Sequence, residues 1–316
     1  MGKNTALVKK DKSKNLLFYL KKDKFIYLLI LPGLLYYLIF RYVPMFGILI
    51  GFKDYHPFFG IEGIFTSPWV GLKHIERFFA SRYSWELIRN TFLISFYQML
   101  WGFPAPIILA LMINEVRQNH FKKIVQTISY LPHFLSMVIV ASLIRNITSM
   151  DAGIINAVIR FFGGEPIFFL GSTRHFRSVL VVSSIWQGVG WGSIIYLAAI
   201  SNIDQELYEA AIVDGAGWLR KIWNITLPGI LPVMSILLIL RIGDLLSVGQ
   251  ERILLLYSPL VYSVGDVIST FIYRAGLVGM EFSFGTAIDF FNSVIELILV
   301  LGANYAAKKM GQEGLW

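Results

Sequence analysis

Apolar residues gather along this chain into six long runs, separated by polar segments that hold most of the charge. The runs fall at residues 25–52, about 90–114, 124–147, 178–202, 227–248 and 284–307. A membrane-crossing helix needs roughly 20 mainly apolar residues, and each run comes near that length. In hydrocarbon every backbone polar group must be satisfied within the segment, which favours helices. The pattern therefore predicts an all-α membrane protein with six transmembrane helices. Arg41 and Pro44 interrupt the first run, so its far end is expected to leave the bilayer near them. Pro104, Pro106 and Pro132 predict kinks. Gly188, Gly190 and Gly192 alternate in the fourth run and predict close helix packing or local unwinding.

The connecting segments are structured to different degrees. Residues 149–162 predict a short helix, with Asp151 as candidate N-cap and Gly163-Gly164 as its stop. Segment 249–283 is long and broken by Pro259, Gly265 and Gly276. A connection of that length is usually structured or functional, here re-entering a pore or capping it.

Composition supports the membrane reading. Of 316 residues, 56% are hydrophobic and 15% are charged, against about a quarter charged in a soluble domain. The net charge of +8 would raise nucleic acid as a partner in a soluble protein. No basic, aromatic-interleaved soluble domain is left over, so no nucleic acid is expected. Lysines crowd the N-terminus, and Arg117 to Lys123, the link 204–223 and Lys308-Lys309 share its side. Positive charge stays on the cytoplasmic side, which puts both termini in the cytoplasm of a multi-pass bacterial inner (plasma) membrane protein. The first run exceeds a signal-peptide core of 7–15 residues and is read as a retained span. Stretch 13–22 is basic and amphipathic; it either lies on lipid headgroups or is a partly ordered topogenic tail. The expected organisation is a cytoplasmic N-terminal segment 1–24, a transmembrane domain 25–309 and a tail 310–316.

Chemistry is sparse. The chain has no cysteine, which excludes disulfides and thiolate sites. Its five histidines are scattered, without HExxH spacing, so no metal site is expected. There is no GxxxxGK[ST] loop for ATP and no GxSxG, and no catalytic residue can be assigned.

One loop, 204–228, carries a recognisable string. It reads as a short helix, a Gly215/Gly217 break, and a lead into Pro228 at the start of the fifth span. Small residues at a helix centre let its backbone sit deep in a partner's groove, and a Glu beside them can anchor an Arg. A hairpin packed on its own subunit would look similar. The string Glu209-Ala210-Ala211, then Asp214-Gly215-Ala216, then Ile225-Thr226-Leu227-Pro228 resembles the "EAA" loop of permease subunits of bacterial ATP-binding-cassette (ABC) importers. Trp69-Val70-Gly71-Leu72 before Phe78-Phe79, and Arg89-Asn90-Thr91-Phe92, are similar to the maltose-permease-like carbohydrate branch. Tyr257-Ser258-Pro259-Leu260-Val261-Tyr262 and Gly265-Asp266-Val267-Ile268 look like its subgroup for oligo- or polysaccharides such as alginate or other uronides. The resemblance covers nearly all of the chain from about residue 25.

That resemblance implies a type I ABC importer permease fold with a cytoplasmic coupling helix. Glu209, Ala210, Ala211, Asp214 and Gly215 would be the coupling residues, mechanical and not catalytic. The implied partners are a second permease, two cytoplasmic ATPase subunits that bind ATP and Mg, an extracytoplasmic solute-binding protein, and a saccharide, acidic on the subgroup reading. No cofactor is implied in this chain. A heterodimer with the second permease follows from the resemblance; the residues alone also allow a homodimer. An importer permease for peptide or phosphate, a self-sufficient channel or secondary transporter, and a membrane enzyme are the rival readings.

Polar residues inside spans need a reason, because charge at membrane depth is costly. Gln98 lies in the second run, Trp186 and Gln187 in the fourth, Arg241 and Asp244 in the fifth, and Asp289, Asn292 and Glu296 form one stripe on the sixth. One reading is a hydrophilic path for a saccharide; the other is interhelical contact. Arg241 and Asp244, at i and i+3, can also pair with each other. Arg241 and Arg274 would suit an acidic saccharide.

Overall fold

The computed structural model describes residues 24–311, 314 and 315. The stretch 13–22 lies outside them. Among the described residues the regular structure is helical, with one isolated bridge between Lys53 and Trp69. Five helices are long and apolar enough to cross a membrane: α1 (Lys24–Phe52), α2 (Arg82–Glu115), α6 (Phe176–Ser201), α8 (Trp218–Gly243) and α11 (Phe282–Lys309). The expected third span is a broken pair, α3 (Asn119–Phe134) and α4 (Met137–Ile147), whose axes turn by 105°. Counting that pair as one span gives six.

The break follows from local chemistry. Pro132 offers no backbone N–H and disrupts a continuing helix, and residues Leu131–Phe134 tighten into a 3-10 turn. Leu135 is extended, and Ser136 restarts the chain by capping α4, its Oγ accepting from the Ile139 N–H at 3.4 Å.

Two other prolines are absorbed without a break. Pro44 does not end α1, which runs on to Phe52. A π turn over Leu38–Tyr42 precedes it, with the Val43 N–H reaching back to the Leu38 carbonyl. Pro228 lies inside α8, which starts at Trp218 and not near residue 227, and the π turn Ile222–Thr226 precedes it. An i→i−5 turn relieves the clash of a proline ring with the preceding carbonyls.

Helix α6 is the hub. Phe176 and Leu180 join a buried cluster with Ile94 of α2, Val140 of α4 and Ile253 of α9 (Gln250–Leu256). Further along, Tyr196 and Ile200 pack with Ile107, Ala110 and Ile230. Gly190 lies so close to the Ser129 backbone that a side chain there would overlap it, and Gly192 meets Pro106. Gly190 and Gly192 thus serve close packing, Gly188 faces open space, and α6 stays unbroken. Helix α1 is the opposite case: from Lys24 to Phe46 none of its residues is buried, and it packs on the bundle through its last turns, where Gly51 meets the Ala287 backbone of α11 and Phe52 lies against Phe290 and Trp69.

One end of the bundle carries the long connections. Helix α5 (Ile154–Phe161) begins at Gly153 and not at Asp151. Asn156 staples its loop, donating to the carbonyls of Ser149 (2.9 Å) and Ile167 (3.0 Å) and accepting from the Ile167 N–H (2.8 Å). Segment 244–281 folds into α9 and α10 (Ile268–Val278) and locks to the ends of α2 and α6. The buried Asp266 accepts from the Tyr83 hydroxyl, from Thr270 Oγ1 at 2.7 Å and from Arg274 Nη2 at 2.6 Å. Asn90 donates to the Asp266 carbonyl at 3.0 Å, and Arg177 bonds both Asn90 Oδ1 (2.7 Å) and the Val264 carbonyl (3.0 Å). Arg274, a sequence candidate for meeting acidic sugar, is therefore committed to Asp266. Burial alone would lower its pKa, but the hydrogen bonds and charge of Asp266 outweigh burial and raise it.

At the opposite end, α7 (Gln205–Val213) and the start of α8 form a hairpin. Asp204 caps α7, accepting from the Glu206 N–H at 3.0 Å. Gly215 has φ +70°, a left-handed turn that glycine adopts without strain.

Candidate functional site

Helices α2, α3, α4, α6, α8 and α9 line an open cavity of about 520 Å³ between the apolar spans. Gln98 enters it from α2, Gln187 from α6 and Arg241 from α8. These are three of the eight polar or aromatic positions that the sequence singled out for a path. His133 of α3 and Trp191 of α6 form part of its wall, their rings stacked at 4.6 Å and 2° from parallel.

The broken span builds one corner. Because the chain is extended at Leu135, its carbonyl is free to accept from Gln187 Nε2, at 3.4 Å. That bond turns the other amide atom, Oε1, toward α9, where it accepts from Arg252 Nη2 at 2.5 Å. Arg252 is only 8% exposed, and its Nε and Nη1 find no hydrogen-bond partner. Burial pushes its pKa down, to about 10, which still leaves it cationic near neutral pH. No Asp or Glu lines the cavity.

The remaining sequence candidates lie elsewhere. Trp186 lines a separate apolar recess with Ile147, Phe169 and Val182. Arg241 and Asp244 form no ion pair; Asp244 ends α8, its N–H bonding the Leu240 carbonyl at 3.2 Å. Asn292 donates to Glu296 Oε1 at 3.4 Å, and Ser247 donates to the same oxygen at 3.2 Å. Asp289 is exposed on α11 and makes no side-chain hydrogen bond among the described residues. Sequence reasoning missed Arg252, His133 and Trp191. Arg252 follows Gln250 and Glu251 just past an apolar run, which reads as a polar connection; nothing local shows that it folds back into the bundle.

The second candidate surface is the hairpin. No residue of α7 is buried. Glu209, Ala210, Asp214 and Gly215 are exposed and Ala211 is half-buried. Val213 is 87% exposed, and Ile212, Trp218 and Trp223 add apolar surface around it. The Tyr208 hydroxyl and Thr226 Oγ1, 2.9 Å apart, tie α7 to α8.

Known proteins share this architecture. Residues 102–301 match the family model described as "Binding-protein-dependent transport system inner membrane component". The chain is 48% identical over 313 residues, 99% of its length and 97% of the relative's, to the polygalacturonan/rhamnogalacturonan transport system permease protein YteP of Bacillus subtilis. It is 47% identical to protein LplB of the same organism, over 94% of this chain and 92% of that one. A chain in the crystal structure of a bacterial ABC transporter involved in the import of the acidic polysaccharide alginate superposes with a TM-score of 0.86 at 42% identity, covering 93% of this chain and 98% of that one. A second crystal structure, of a bacterial alginate ABC transporter in complex with an alginate pentasaccharide-bound periplasmic protein, gives 0.87 at 41% identity, over 95% and 99%.

Proposed function

The chain belongs to the inner membrane components of binding-protein-dependent transport systems, and from that premise we propose that it lines the path of an acidic oligo- or polysaccharide into the cell. It is the permease subunit of an ABC importer and not an enzyme; ATP is the business of partner ATPases. The observation that carries the substrate is the near-full-length similarity to a polygalacturonan/rhamnogalacturonan permease, joined by that to an alginate importer.

In this reading the chain pairs with a second, different permease, two cytoplasmic ATPase subunits and an extracytoplasmic solute-binding protein. Glu209, Ala210, Ala211, Asp214 and Gly215 form the knob that the ATPase grips; the exposure of α7 and its tie to α8 support this. ATP-driven closure of the ATPases then moves α8, and with it Arg241 at the cavity wall. Gln98, Gln187 and Arg241 form the part of the path enclosed by this chain. Trp186, Asp244, Asp289 and Glu296 stand on surfaces available to the second permease, where the path would continue, while Asn292 is buried beneath Glu296 and positions it.

The test is reconstitution of the whole assembly in proteoliposomes. Uptake of labelled trigalacturonate that requires both loaded binding protein and ATP on the ATPase side supports the proposal. Uptake of peptide or phosphate in its place overturns the saccharide, and flux through this chain alone overturns the importer assembly.

Orientation rests on the lysine-rich N-terminus, and it is readily checked because the chain has no cysteine. A single cysteine introduced as Val213→Cys should react with an impermeant maleimide in inside-out vesicles and be at least about tenfold less reactive in right-side-out cells, since an intact bilayer excludes the charged reagent. Labelling of intact cells would reverse the topology.

A further inference from the structure

The cavity has an electrostatic imbalance that the fold does not resolve. Two guanidinium groups line it and no carboxylate does. Arg241 reaches it beside Gly102, where a Cβ would lie 3.7 Å from Arg241 Nη2. Among the described residues the ion pairs are Arg77–Glu281 and Arg274–Asp266, so neither cavity arginine has a counter-charge. Arg252 is held by one neutral amide oxygen, with two of its nitrogens unpartnered. A buried cation without an anion is costly, and a neutral acceptor recovers less than a charged one.

We propose that this cavity is a carboxylate subsite, in which one uronate carboxylate of the passing saccharide is held by Arg252 and Arg241 while the sugar ring rests beside the His133–Trp191 pair. The proposal rests on the saccharide reading above and adds the groups that select for acid. Gln187 positions Arg252 and occupies its Nη2 until substrate arrives. The carboxylate replaces that amide as acceptor, and the amide becomes free for sugar hydroxyls. The cavity volume of about 520 Å³ lies within the usual range of small-molecule sites, about 300–1,000 Å³. The two stacked aromatic rings suit the apolar face of a pyranose, and two arginines without an acid suit a monoanionic sugar unit better than a neutral one. Holding the charge at one point lets each residue of the polymer be gripped in turn and then released.

The experiment measures equilibrium binding of trigalacturonate and of its carboxyl-reduced, neutral trimer to the assembled permease–ATPase complex, without binding protein. The parent complex should prefer the acid by about tenfold or more, as expected for one charge-assisted hydrogen bond. Arg252→Gln should bring the two sugars to within about threefold, while Arg252→Lys, which keeps the charge but loses the planar fork, should retain part of the preference. Gln187→Glu places a permanent carboxylate against Arg252, so it should abolish the preference in a complex whose assembly it does not impair. An unchanged acid-to-neutral ratio in either Arg252→Gln or Gln187→Glu overturns the subsite. Equal binding of both sugars by the parent overturns the subsite and leaves the saccharide function standing. Binding of neither sugar, with no uptake of either, overturns both.

Discussion

Importers carrying Glu209→Lys should take up substrate at least about 30-fold more slowly than the parent, with ATP hydrolysis no longer responding to loaded binding protein. In the proposed coupling role Glu209 pairs with a cation of the ATPase, and losing one partner of such a buried pair typically costs 2–5 kcal/mol or more. The fold of this chain should be unaffected. Glu209 is exposed and forms no side-chain hydrogen bond among the described residues, and no residue of α7 is buried. Lysine is also a good helix former. The loss must therefore arise outside the chain, at the surface that α7 presents. Uptake and stimulated hydrolysis should be measured on the same proteoliposomes. Full stimulation with slow uptake would place the defect in the path and remove the coupling role of Glu209. Gly215→Val should act in the same direction by another route, because a β-branched residue is strained at φ +70° and would reorient the end of α7.

The second large effect is on stability. Asp266→Ala should destabilise the chain by about 3–5 kcal/mol, the range for stripping one partner from a buried ion pair. Asp266 is fully buried and gathers the Tyr83 hydroxyl, Thr270 and Arg274. Arg274 is partly exposed, at 32%, and stacks over Tyr262 at 4.7 Å. It can recover some hydration, so the lower part of the range is expected. Asp266→Asn keeps acceptor and shape but loses the charge, and should cost less than the alanine variant. Thermal unfolding of the purified chain in detergent reads both. If Asp266→Ala unfolds at the parent temperature, segment 244–281 is not held to α2 and α6 by this network.

Much of this architecture was legible because hydropathy is additive along a span. The five unbroken spans appear as apolar runs in the sequence, and the family loop at Glu209 was visible from its string of residue types. What failed was whatever depended on direction. The kink predicted at Pro132 is there, but neither its size, 105°, nor the restart at Ser136 could be read from a window sum over the third run. Nothing in the sequence near Arg41 and Pro44 announced the π turn that carries the helix past the proline. Arg220 and Lys221 disguised the first turns of α8 as part of a loop.

The site divides on the same line. Gln98, Gln187 and Arg241 were found because polar groups in a span demand an explanation. Arg252 sits outside any span in sequence and inside the bundle in space, so only tertiary structure reveals it. Asp266 and Arg274 are eight residues apart in a segment with no obvious periodicity, and their pairing was likewise hidden. The stripe on α11 was real as a pattern, but Asn292 and Ser247 meet Glu296 beside one another and do not reach the cavity.

Helix α1 stands largely apart from the bundle that it belongs to. Its side chains from Lys24 to Phe46 are exposed within the chain, so packing inside this polypeptide gains little from them. Lipid tails are about as apolar as leucine, so exchanging lipid for a neighbouring helix gains little hydrophobic free energy and is settled by packing. Whether α1 finds a protein neighbour is then a question of mass action in two dimensions. It follows the number of partner copies per unit area of membrane and not the stability of the fold that carries it.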